Sequence, residues 1–345
     1  MAADPTRRHF TDLDGMRGLL ALVVMLYHFG SNTVLNRFVP VGQVHWDLCV
    51  DFFFALSGFV LCRSVVQTGV GPALFAWRRV GRLLPMHLVI LALFFLVLYP
   101  QGVPPSQLAL ELTAFGPLLG EALANNPAWS MTFELYLPIM LVAALALLGP
   151  PGTRASAAAI ALLVAVLVWL TWLMFTGRVY PLEPWIEWAR AVAGLSLGFA
   201  CWLWWSAREQ SARADHPFWG FPLCCLAFCL LVLFGTRVPL LALPLPLVIV
   251  ATLFVGTRSH SVFSSWPARW LGRLSFGVYM AHWPVLLAFQ ARFGLSGLEG
   301  NVLLKGAMIA ATLALALALH LLVEKPAMRR FRDWPGAPGP PLRHS

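Results

Sequence analysis

Ten long apolar stretches limit what this chain can fold into more than any other feature, at roughly 15–30, 46–66, 84–99, 129–148, 155–176, 188–205, 217–234, 238–255, 272–292 and 302–323. About 20 mostly apolar residues make a helix that crosses the hydrocarbon of a bilayer. Ten such stretches leave little chain for a water-facing surface. Of the 345 residues, 59% are hydrophobic and 11% charged, against about 25% charged in soluble domains. The expected fold class is therefore an all-α integral membrane protein with about ten transmembrane helices. Pro239, Pro244 and Pro246 make 217–255 the least regular part of that pattern.

An even number of crossings puts both termini on one side. Of the 24 basic residues, eighteen fall at the stretch ends on the N-terminal side and six at the other, which predicts N-in/C-in. The net charge of +9 follows from this asymmetry, so the expected partner is the lipid bilayer and not nucleic acid. Arg7 and Arg8 resemble the start of a signal peptide, but no small-residue cleavage site follows, so a retained first helix is expected. Cys224, Cys225 and Cys229 lack the histidine partners and spacing of a zinc site, and no metal is expected. The predicted organisation is one membrane domain over 1–330 and a Pro/Gly-rich disordered cytoplasmic tail over 331–345. Residues 72–83 read as a short interfacial helix, or as ordinary positive-inside anchoring. Segment 100–128 has no Lys or Arg, as an outer loop should. No internal repeat at a fixed period is evident, which weighs against a transporter built from repeated halves.

The chemistry starts from Arg17 and His28, with ten residues between them in the first stretch. Eleven steps at about 100° return to nearly the same helix face, roughly 16 Å further along the axis. Ionisable residues inside a spanning helix are costly and are candidates for function. By depth, His28, Asp51 and Glu134 are expected together toward the outer leaflet. Arg17, Arg78, Arg79, Arg82, Arg273, Ser275, Glu324 and Lys325 are expected together near the inner face. A histidine near a carboxylate suits general-base work on a hydroxyl, and clustered arginines suit phosphates. Cations inside and an imidazole further out fit one extended ligand, and coenzyme A, a phosphorylated nucleotide with a long thiol-ended arm, has that shape.

Plainer roles stand beside these. His28 can bond a backbone carbonyl, Arg17 can snorkel, Asp14 and Arg17 can pair at i, i+3, and Glu134 can sit in a helix start capped by Ser130. His282 either lines the cavity or bonds a carbonyl freed by Pro284. His87 and His320 are expected to pack or snorkel.

Several segments together resemble membrane acyltransferase family 3: LDGMRGLLALVVMLYHF with Arg17 and His28, VDFFFALSGFVL at 50–61, Arg79-Val80-Gly81-Arg82 before Pro85, Trp129-Ser130-Met131-Thr132-Phe133-Glu134, LGRLSFGVYMAH at 271–282, and Val323-Glu324-Lys325-Pro326. Their order and spacing, more than any one of them, carry the similarity. The resemblance implies a multi-pass O-acyltransferase of a bacterial-type inner (plasma) membrane. It would move an acetyl or short acyl group from acetyl-CoA or another acyl-CoA to a sugar hydroxyl of a surface polysaccharide or glycolipid. It also implies His28 as the catalytic residue, with Arg17, Arg79 and Arg82 in donor binding or coupling. Pro138 follows Glu134 sooner than is usual in the family, and His87 stands where an aromatic is common. The sequence leaves two other classes open: a proton-coupled transporter or flippase of a lipid-linked or acylated substrate with His28 and Glu134 as a relay, and a non-catalytic assembly scaffold.

Overall fold

A computed structural model of the chain describes residues 10–30, 48–68, 70–97, 105–148, 184–208, 219–234, 245–257, 260–298 and 301–332. Every regular element among these is helical: α1 Thr11–His28, α2 Leu48–Thr68, α3 Pro72–Val97, α4 Pro105–Thr113, α5 Ala128–Leu148, α6 Pro184–Arg208, α7 Gly220–Phe234, α8 Leu245–Gly256, α9 Trp266–Leu298, α10 Val302–Leu319 and α11 Lys325–Arg330. The apolar stretch at 155–176 lies outside the described residues. Among the described residues, two helices, Pro72–Leu96 and Val302–Arg330, are long and apolar enough to cross a membrane, and Ala128–Ala143, Gly220–Val232 and Leu247–Gly256 are shorter apolar helices.

Local chemistry explains the boundaries. α1 starts with Asp12 and Asp14 in its first turn, where the helix dipole favours carboxylates. It stops short of Gly30, which has φ +61°. α3 begins on a proline and runs unbroken through Pro85 for 26 residues. The expected interfacial helix at 72–83 is thus the first half of a longer helix that includes the third apolar stretch, because a proline is tolerated where neighbouring helices satisfy the backbone. α9 turns sharply at Gly294, with φ 70° and ψ 162°. After α10, Pro326 has no N–H for the carbonyl four residues back, and the helix widens into a π turn over His320–Glu324 before α11.

Two close helix pairs organise the body. α1 and α9 run parallel: a Cβ on Gly18 would lie 2.6 Å from the Gly272 backbone, and one on Gly272 would lie 2.1 Å from the Asp14 carbonyl oxygen. α2 and α6 also run parallel, and a Cβ on Gly198 would lie 1.8 Å from the Ala55 carbonyl oxygen. Small residues that let backbones approach are how helices pack where no hydrophobic drive separates helix from lipid. Around these crossings the core is aromatic, with Phe52, Phe54, Phe59, Phe133, Phe228 and Trp202 fully buried.

The C-terminal end is stapled to α3. Phe331 stacks on Trp77 with ring centroids 4.4 Å apart, and Arg78 Nε donates to the Arg332 carbonyl at 2.7 Å. Phe331 and Arg332, assigned from sequence to the tail, are therefore packed on the body. Residues 333–345 lie outside the described residues.

Candidate active site

Arginines from two helices meet at one cavity of about 240 Å³, lined by Arg17 of α1 and by Arg78, Arg79 and Arg82 of α3, with Ser275 of α9 and Glu134 of α5. Arg82 falls one turn beyond both Arg78 (i, i+4) and Arg79 (i, i+3) on α3, so one side of a single helix delivers three guanidinium groups. The remaining wall is largely apolar, including Phe53, Leu56, Phe75 and Phe276. Arginine stays protonated in proteins, so among the described lining residues one carboxylate, Glu134, stands with four cations.

Arg17 and Arg79 are each held by the protein. Arg17 Nε donates to Ser275 Oγ at 3.0 Å and one Nη donates to the Gly272 carbonyl at 2.7 Å. Its Nη lies 3.8 Å from Asp14, too long for a hydrogen bond, so the short contacts of Arg17 run to α9. Arg79 Nε donates to the Glu134 backbone carbonyl at 2.6 Å, and its Nη2 lies 3.7 Å from the Glu134 carboxylate. That Nη2 is buried and has no hydrogen-bond acceptor among the described residues. A buried charged donor left without an acceptor is costly by more than about 1–3 kcal/mol, so the cavity is polarised toward an anionic oxygen.

Ser130 and Tyr279 also line the cavity, and their hydroxyls are 2.9 Å apart. The Tyr279 ring lies against His282, centroids 5.8 Å apart. His282 is fully buried and its Nε2 is 3.1 Å from Nδ1 of His28. The two imidazoles stack, with centroids 5.0 Å apart and planes at 26°, and Trp283 packs edge-on to His28 at 5.5 Å. Tyr279 thus touches both the arginine cavity and His282, and neither histidine lines that cavity.

The parallel contact of α1 and α9 produces both features. Arg17 meets Ser275 and His28 meets His282. His282 follows Ser275 by seven positions, two helical turns on one face, opposite the Arg17–His28 face of α1. This spacing is the sequence signal that would have found His282. Among the described residues, Glu134 is placed apart from the expected outer group. Glu134 sits in the arginine cavity, because six residues into α5 carries it about 9 Å beyond the helix start. Asp51 is gripped by Arg190 of α6 through two hydrogen bonds, 3.0 and 2.9 Å, and the Arg190 guanidinium lies 5.6 Å from the Trp129 ring. Ser130 lies inside α5 and not at its cap, so its hydroxyl reaches across to α9.

A family model described as an acyltransferase domain matches residues 10–321. Among curated proteins, the chain is similar to Protein 2 in picA locus of Rhizobium radiobacter, 33% identical over 162 residues, which is 39% of this chain and 81% of that protein. No solved structure matches it.

Proposed function

The chain belongs to the acyltransferase-domain family, and from this premise we propose that it transfers an acetyl or short acyl group from an acyl-CoA to a sugar hydroxyl of a surface polysaccharide or glycolipid. It does so as a multi-pass protein of the inner membrane, with both termini inside. The observation that carries this proposal is the run of side-chain contacts from the four-arginine cavity, through Tyr279 and His282, to His28, which does not itself line that cavity. Arg17, Arg78, Arg79 and Arg82 hold the donor's phosphates, and the orphaned Nη2 of Arg79 supplies a hydrogen bond for one of their oxygens. At about 240 Å³ the cavity is below the roughly 300–1,000 Å³ typical of whole-ligand pockets, so it takes part of a long ligand and leaves the rest outside. The parallel pairs α1/α9 and α2/α6 support the topology, because alternating crossings give the first and ninth stretches one direction and the second and sixth the other.

In the reaction, a nitrogen of His28 takes the proton of the acceptor hydroxyl as its oxygen attacks the thioester carbonyl. The carbon–sulfur bond breaks, CoA leaves as the thiolate, and the proton returns to that sulfur. Arg17 and Ser275 fix the end of the donor nearest α9. Glu134 serves by aligning Arg79, and Asp51 by holding α2 to α6.

The test is the O-acetyl content of surface glycan in cells carrying His28→Ala at equal protein abundance. Loss of a general base costs about 10²- to 10⁴-fold, so acetylation is expected to vanish. Retained acetylation removes His28 from its role. Acyl transfer by purified protein with no membrane gradient separates this enzyme from a proton-coupled transporter.

A further inference from the structure

The histidine pair allows one assignment of protons. His28 Nδ1 lies 3.0 Å from the Val24 carbonyl oxygen, and His282 Nδ1 lies 3.3 Å from the Val278 carbonyl oxygen. A carbonyl only accepts, so each Nδ1 must carry hydrogen to make its contact. A neutral His282 then has a bare Nε2, and that atom faces His28 Nδ1 at 3.1 Å. The His28 N–H therefore lies between two acceptors, Val24 O and His282 Nε2. All three contacts are satisfied together, and the nitrogen left basic on His28 is Nε2. If the His28 proton moved to Nε2, Val24 O and His282 Nε2 would both lose their donor.

We propose that His282 is a positioning residue which, through this accepted hydrogen bond, fixes His28 in the tautomer with a basic Nε2 and orients its ring for proton transfer. The inference rests on the role of His28 proposed above. When Nε2 takes the acceptor's proton, the ring becomes an imidazolium and its Nδ1–H bond to His282 becomes charge-assisted, hence stronger. The hydrogen bond thus favours the charged state that the reaction creates more than the resting one, as the orienting group of a hydrolase triad does. Here the acceptor is a neutral imidazole on a neighbouring helix. Its position is set by the α1/α9 crossing, and its ring is kept from rotating by its own bond to α9.

Two variants of similar length separate positioning from packing. The Gln side chain in His282→Gln offers a carbonyl oxygen where Nε2 stood, and His282→Met fills similar space with no comparable acceptor. Membrane vesicles from producing cells, which carry the native acceptor, are given acetyl-CoA, and CoA thiol release is measured per mole of folded protein. His282→Met is expected to lose about 10²-fold in kcat with KM for acetyl-CoA unchanged, and His282→Gln to recover at least about tenfold of that loss. Equal rates for the Gln and Met variants, or a Met variant at the wild-type rate, overturn the proposal. His28→Ala is run alongside: turnover retained there defeats the base role itself, whereas its loss with equal Gln and Met rates defeats the tautomer assignment alone.

Discussion

At the residue scale, the ionisable side chains divide by what holds them. Asp51 and Arg190 are 4% and 8% exposed and satisfy each other in a two-pronged geometry that suits a guanidinium and a carboxylate. Removing one member leaves a buried charge uncompensated, typically about 3–5 kcal/mol, while replacing both with apolar residues is often near neutral. Asp51→Ala should therefore lower thermal stability in detergent sharply, and Asp51→Leu combined with Arg190→Met should restore most of it. Activity of the restored double variant then distinguishes a structural Asp51 from one that assists His28: a stable but inactive protein would return Asp51 to the chemistry. Glu134 differs, being about a fifth exposed (22%) in the cavity wall, close to the orphaned Arg79 nitrogen and open to a ligand.

At the element scale, helices deliver the site and a short segment, α4 with the turn after it, packs against α3 and α9. Three of the contacts that tie down α4 and the turn after it link it to α3, to itself and to α9. His87 Nε2 donates to the Glu111 carbonyl at 2.6 Å, the Ala124 N–H donates to the Glu111 carboxylate at 2.6 Å, and Asn125 Nδ2 donates to the Met280 carbonyl at 3.1 Å. The last of these fixes α9 two residues from His282. Burial pushes the Glu111 carboxyl above the usual range, and the Ala124 N–H opposes that shift. A raised folded value means the protonated form is favoured by folding. The resulting stability is complete below the unfolded value of about 4.3 and is lost as pH rises through the folded value. Melting temperature should fall over that window in the wild type and much less in Glu111→Gln, which keeps the acceptor for Ala124. Parallel curves for the two proteins would show that Glu111 does not titrate with folding. The same scale corrected the sequence expectation for α3, where the arginines stand on one rigid helix and not on a separate surface element.

At the scale of the whole molecule, cations and imidazole occupy one bundle at different depths, about 16 Å apart along α1. Membrane-impermeant acetyl-CoA should support turnover only from the face that carries the N-terminus. Proteoliposomes of known orientation, scored by protease access to an N-terminal tag, test this, and turnover from the opposite face alone would reverse the donor side. The all-helical class, the arginines and the Arg17–His28 face were legible in the sequence because composition, helical period and spacing are local quantities. Ser275 was legible as a companion of the arginines for the same reason. Partners were not legible, because they are set by how helices cross. Arg79 takes its acceptor 55 residues away, Asp51 pairs across 139, and His28 meets His282 across 254. Depth along a helix can be counted from the chain, but which neighbour shares that depth depends on where glycines let two backbones touch. That packing decided that the carboxylates belong to arginines and that the imidazole at position 28 leans on a second imidazole.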